Sequence, residues 1–144
     1  MNTTTNGNSV TTITAQLVAE ENRLETLPKH FGRYLMQVEN MVYHFARRLV
    51  PAYTGGLWHF YELSNGGFYM APDAKSMHLY VDGNGFDCEM SADAIGLTVC
   101  LFTFSHGSFQ FPDDPDETFA RHYHLARDFS YFHPEARFIS AAID

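Results

Sequence analysis

The hydrophobic period of this chain changes twice, and that change limits the folds open to it. From Leu35 to Leu49 apolar residues recur at three and four. Leu35, Val38, Met41, Val42, Phe45 and Leu49 fall on one side, and Gln37, Asn40, His44, Arg47 and Arg48 on the other. That is the buried face of an amphipathic helix, which Pro51 closes. From residue 57 the period falls to two. "LWHFYEL" turns at Ser64-Asn65-Gly66-Gly67 into "FYMA", which stops at Pro72, and "MHLYV" turns at Asp82-Gly83-Asn84-Gly85 into "FDCEM". Met77, Leu79 and Val81 alternate with His78 and Tyr80; Phe86, Cys88 and Met90 alternate with Asp87 and Glu89. Four short strands joined by turns predict an antiparallel meander with one wet face.

After Met90 the helical pattern returns. Ser91 suits an N-cap and Asp93 the first turn, where the helix dipole favours a carboxylate. "ADAIGLTVCLFTF" is apolar nearly all round, which predicts a helix deep in the fold. "SHGSFQFPDDPDE" reads as an acidic loop, a helix follows from Thr118, and Pro134 takes the first position of a last helix. Upstream, Pro28 and Gly32 punctuate a mixed stretch that predicts a short helix or turn. The fold class is therefore α+β: a single compact domain, with an antiparallel β-meander of about four strands packed with about four helices.

A length of 144 residues and 45% apolar content suit one domain with a real core. "MNTTTNGNSVTT" is polar and uncharged, so residues 1–12 are expected to be a disordered tail and 13–144 the folded domain. No apolar run approaches the roughly 18 residues of a membrane span. Cys88 and Cys100 lack neighbours at metal-ligand spacing and suit packing thiols, so a cytoplasmic setting is expected.

Several chemistries find no motif. Gly55-Gly56 precede a strand and Gly66-Gly67 join two strands, whereas a phosphate cradle leads from a strand into a helix N-terminus. The eight histidines show no His-x3-His spacing, and His122 and His124 point to nearly opposite sides of one helix. No serine lies in Gly-x-Ser-x-Gly. Asp82-Gly83-Asn84-Gly85 lacks the ligand run of a calcium loop. No catalytic, metal-binding or cofactor-binding residue is assigned. A net charge of −8 argues against a broad DNA-binding face, and Arg47, Arg48 and Lys29 form only a thin basic group. The charge is also too sparse for DNA mimicry. A duplex carries roughly one charge per 110 Å² of surface. A chain of this mass exposes about 7,500 Å², roughly one net charge per 900 Å².

"YTGGLWHFYELSNGGFYMAP", "VDGNGFDCEMSADAIGLTVCLF" and "RHYHLARDFSYFHPEARFISAAID", with the upstream "RLETLPKHFG", resemble the ArdB/KlcA antirestriction family. The resemblance runs from about Ile13 to Asp144. It implies a compact α+β fold carried on plasmids and other mobile elements. It also implies protection of incoming DNA from host type I restriction-modification systems by a route other than DNA mimicry. It brings no catalytic residues with it. The expected partner is the type I restriction-modification complex or an associated host factor, met by a monomer without stable DNA or membrane contact.

Two surfaces are candidates for that contact. One is the C-terminal tail, Ala142, Ile143 and Asp144, whose isoleucine is either docked in the core or kept for a partner. The other is the open face of the sheet, His59, Tyr61, His78 and Tyr80, where aromatic and polar groups together suit an interface. The alternative is an enzyme acting on nucleic acid or on restriction subunits. It requires a concave pocket gathering at least two of His30, His44, His59 and His122 with a carboxylate.

Overall fold

The computed structural model describes residues 11–144, so the expectation for the N-terminal tail falls almost wholly outside the described residues. The elements run β1 (Ala15–Leu17), α1 (Arg23–Phe31), α2 (Leu35–Leu49), β2 (Trp58–Leu63), β3 (Phe68–Pro72), β4 (Ser76–Val81), β5 (Phe86–Ser91), α3 (Ala92–Gln110), α4 (Thr118–Ser130) and α5 (Ala136–Ile143). The class is α+β, as the two periods predict. The helix α2 buries Val38, Val42, Ala46 and Leu49. α3 starts at Ser91, whose hydroxyl accepts the Ala94 N–H, and it buries residues on every side.

The strands do not form one meander. They divide into a three-stranded antiparallel sheet, β1-β2-β3, and a separate hairpin, β4-β5. The reason lies at Gly96. A Cβ there would sit 2.4 Å from the Ala71 Cα and from the Met70 carbonyl oxygen, so only glycine lets α3 press this closely on β3. The Cys100 thiol then takes the Met70 N–H at 3.4 Å and lies 3.6 Å from its carbonyl oxygen. The outer edge of β3 is thus covered by a helix, one of the ways a sheet edge is closed, and β4 pairs elsewhere. All five residues of β3 are buried. On the other side, β2 pairs with the short β1 through Leu17 opposite Tyr61. β1 is absent from the sequence reading, because three exposed residues carry no alternation.

The Asn-Gly-Gly turn between β2 and β3 is docked. The Asn65 amide donates to the Leu125 carbonyl at 2.9 Å, and a Cβ on Gly67 would meet Leu125 at 2.8 Å. Two boundaries and one burial differ from expectation. The helix α3 continues through Ser105–Gln110, which reads as loop. Pro134 lies in the turn before α5 rather than at its first position. Asp114 of the acidic loop is buried, its carboxylate accepting the Thr118 and Asp116 N–H groups. These bonds hold its carboxyl below the usual range. It stops the chain from fraying ahead of α4 rather than presenting charge.

Candidate functional site

Two polar clusters stand out. The first joins α1, β2 and α4. The His30 ring of α1 meets the Glu62 carboxylate of β2 at 2.8 Å, and the Lys29 ammonium donates to the other oxygen at 3.2 Å. His122 of α4 lies edge-on to His30, with ring centroids 5.1 Å apart, and its Nε2–H donates to the His30 carbonyl at 3.2 Å. That bond leaves Nδ1 of His122 as a bare acceptor, buried without a partner. The ring is 1% exposed among Phe31 and Phe104. Burial, with His30 and Arg121 nearby, pushes its pKa down to about 4. Burial also lowers His30, against the pull of Glu62. Burial pushes the Glu62 carboxyl up, but the bonds from His30 and Lys29 outweigh it and hold the group below its usual value.

This cluster meets half of the condition set for an enzyme. It gathers His30, His122 and a carboxylate, while His44 packs on Phe45 and His59 pairs with Asp73 at 3.0 Å. Glu62 and Lys29 line one groove and His30 and Lys29 another; His122 lines neither, so neither groove gathers two of these histidines with the carboxylate. The two histidines and the carboxylate do not share one of these concave surfaces. Lys29, tied to Glu62, is also withdrawn from a basic face shared with Arg47 and Arg48. Among the described residues no three His, Cys, Asp or Glu side chains converge as metal ligands.

The second cluster floors an open groove of about 610 Å³. Tyr61, Tyr69 and Phe129 stack in succession, with centroids 4.8 and 5.6 Å apart. The Tyr69 hydroxyl donates to one Asp93 oxygen at 2.8 Å, and His133 Nε2 meets the other at 2.7 Å. The Glu135 N–H donates to Nδ1 of His133 at 3.0 Å, which fixes the tautomer with the proton on Nε2. Glu135 in turn accepts the Ser91 N–H at 3.0 Å and the Ser91 hydroxyl. Burial and the Asp93 charge raise the Tyr69 hydroxyl far above its ordinary pKa, so it stays a donor.

The residues singled out from the sequence are not brought together. His59 and Tyr61 lie on β2, whereas His78 and Tyr80 lie on β4 in the other sheet, so they do not share one sheet face. Tyr61 is half-buried on the groove; His78 is exposed and paired with Asp87; Tyr80 is exposed. The tail is docked. Ala142 is fully buried, Ile143 packs against the core, and the Asn84 amide donates to the Ala142 carbonyl at 3.0 Å; Asp144 is exposed. Sequence reading missed Asp93, His133 and Glu135 as a group. Asp93 reads as a helix-capping acid, and nothing in its spacing points to residues 40 positions away.

The arrangement is that of a compact α+β domain whose histidine–carboxylate pairs bond one another. Its family follows from comparison. The chain belongs to the antirestriction protein family: the family model described as antirestriction protein matches residues 51–144. It is 46% identical over 135 residues to an antirestriction protein KlcA of Escherichia coli, covering 92% of this chain and 95% of the relative. It is 37% identical over 132 residues to the putative antirestriction protein YubI of Escherichia coli K12, covering 88% and 93%. A solved structure superposes with a TM-score of 0.87 at 44% identity over the whole of both chains. It comes from a study of the KlcA and ArdB proteins that describes a novel fold and antirestriction activity against type I DNA restriction systems in vivo but not in vitro.

Proposed function

We propose that this protein protects incoming plasmid or other mobile DNA by inhibiting host type I restriction-modification systems. It acts in the cytoplasm as a monomeric, non-enzymatic inhibitor that binds the restriction complex or a host factor the complex needs. The observation that carries this reading is the likeness to KlcA, 46% identity across nearly the full length of both proteins. Activity of KlcA and ArdB in cells but not in vitro favours a partner that is supplied by the cell. Sparse charge argues against decoying a DNA-binding site. Among the described residues no helix is long and apolar enough to cross a membrane.

The contact candidates now have different weights. Tyr61 on the groove, His59, the exposed pair of positions His78 and Tyr80, and the tail end Ile143–Asp144 are available to a partner. Ala142, fully buried, contributes by holding α5 in place. The test is the plating efficiency of unmodified phage on a type I restricting host. Expression of the protein raises it toward the value on a non-restricting host; an unchanged efficiency overturns the reading.

The enzyme reading keeps one supporting observation, the His30–Glu62 pair backed by His122. Glu62→Gln separates the two. A binding inhibitor keeps its protection when this variant is folded, whereas an enzyme using the pair loses it.

A further inference from the structure

The groove over Asp93 has a chemistry that the proposed inhibition does not use. Its lining includes two carboxylates, Asp93 and Glu135, and no lysine or arginine. Neither carboxylate has a Lys or Arg partner within 4.0 Å among the described residues. His133 does not neutralise them. Its Nδ1 accepts the Glu135 N–H, so the ring donates from Nε2 as a neutral imidazole. The groove therefore carries two carboxylates with no cationic side chain beside them, offset only by the N-terminal dipole of α3.

The carboxylate is also held in place. Its two donors are almost fully buried, Tyr69 at 2% and the His133 side chain at 5% exposure, while Asp93 itself is 39% exposed. Each donor takes one lone pair of one oxygen, and a carboxylate has about four lone-pair sites. With its side chain exposed to this extent, Asp93 lines the groove, so the carboxylate can be reached from the open side. Around it stand aromatic surfaces: Tyr61, stacked on Tyr69 with 12° between the rings, and Phe132, 38% exposed beside Phe129. A fixed carboxylate flanked by exposed aromatic faces complements a planar cation that is weakly hydrated and can make two parallel hydrogen bonds. That is a guanidinium rather than a compact ammonium.

We propose that this groove is a recognition site for an arginine side chain of a partner protein, with Asp93 as the bidentate acceptor and Tyr61 and Phe132 as stacking walls. The inference deepens the binding-inhibitor reading and rests on it for the partner. The site itself is tested without any restriction assay.

The experiment titrates isotope-labelled full-length protein with the capped tripeptide acetyl-Gly-Arg-Gly-amide and with its citrulline twin, which has the same shape without the charge. Saturable amide shifts at Tyr61, Asp93, Phe132 and His133 are expected with arginine and not with citrulline. Asp93→Asn, which keeps an oxygen for one buried donor, weakens the arginine peptide about tenfold. Phe132→Ala touches no hydrogen bond and weakens it about threefold. Amide dispersion confirms that each variant is folded. Absent shifts, equal binding of citrulline, or unchanged binding by both variants overturns the site. Shifts of the same residues on diluting the protein alone assign the groove to a second copy and also overturn it. In cells, folded Asp93→Asn loses protection of unmodified phage; full protection with weakened peptide binding overturns the partner assignment. Protection by the wild type with no peptide binding sinks this inference alone, whereas absence of protection by the wild type sinks the proposed function and leaves the binding result readable.

Discussion

His122 sets a pH limit on this fold. Its ring is 1% exposed, donates to the His30 carbonyl, and keeps Nδ1 unprotonated in an apolar wall. A proton on Nδ1 has no acceptor there, and His30 and Arg121 oppose the charge, with Glu62 a weak counterweight. In the unfolded chain the same imidazole titrates near 6.5, against about 4 in the fold. Between these values the unfolded state binds more protons, so stability rises with pH and is lost as pH falls from about 6.5 toward 4. Each tenfold change in proton affinity is worth about 1.4 kcal/mol. From pH 7 to pH 4.5 the expected loss from this residue is about 2 kcal/mol, a large share of the 5–15 kcal/mol of an ordinary domain. Urea unfolding at a series of pH values measures it, against His122→Gln, whose amide still donates to the His30 carbonyl. Glu62 and Asp114, both held low, lose their contribution at lower pH in both proteins and cancel in the difference. The gap between variant and wild type moves by about 2 kcal/mol in favour of the variant over that range. Parallel stability curves would refute the claim that His122 is buried neutral.

Gly96→Ala places a methyl group 2.4 Å from the backbone of β3, which neither element can relieve by a rotamer change; a loss of about 1–3 kcal/mol or more is expected in urea unfolding. Asn84→Ala removes the amide bond to the Ala142 carbonyl and lowers stability by about 1 kcal/mol, read as a lower Tm. Deleting Ala142–Asp144 removes a fully buried residue and lowers Tm further; if the shortened chain unfolds at the Tm of the full chain, the tail is not docked. The Cys100 thiol, buried and pushed up to about 12, reacts with a thiol reagent at pH 8 only on unfolding, whereas half-buried Cys88 reacts in the native protein. Equal native rates for the two thiols would contradict this.

Much of the fold was legible because its signals are local. The switch of period at residue 57, the turn residues at 64–67 and 82–85, the Ser91 cap and the apolar circumference of α3 each act within a few positions. They placed four strands and the main helices. The docking of α3 was half-legible: a glycine inside an otherwise apolar helix marks a close approach, but its partner strand is not written beside it. Neither the division into two sheets nor β1 was legible. The first depends on which edge Gly96 covers, and the second on three exposed residues that gain their order only by pairing with β2.

The sequence by itself determined four of the strands and the main helices, the acidic balance and, through long stretches of shared wording, the antirestriction family. Only the tertiary structure decided where charge and polarity meet. It put Glu62 on His30, left His122 with an empty acceptor in the core, and closed Tyr69, Asp93, His133, Glu135 and Ser91 into one network at the base of a groove. The Tyr69–Asp93, Asp93–His133 and Ser91–Glu135 bonds span 24, 40 and 44 residues of the chain. A hydrogen bond acts over about 3 Å, so no periodicity in the sequence reports it until the packing of α3, α4 and α5 on the sheet brings the partners within reach.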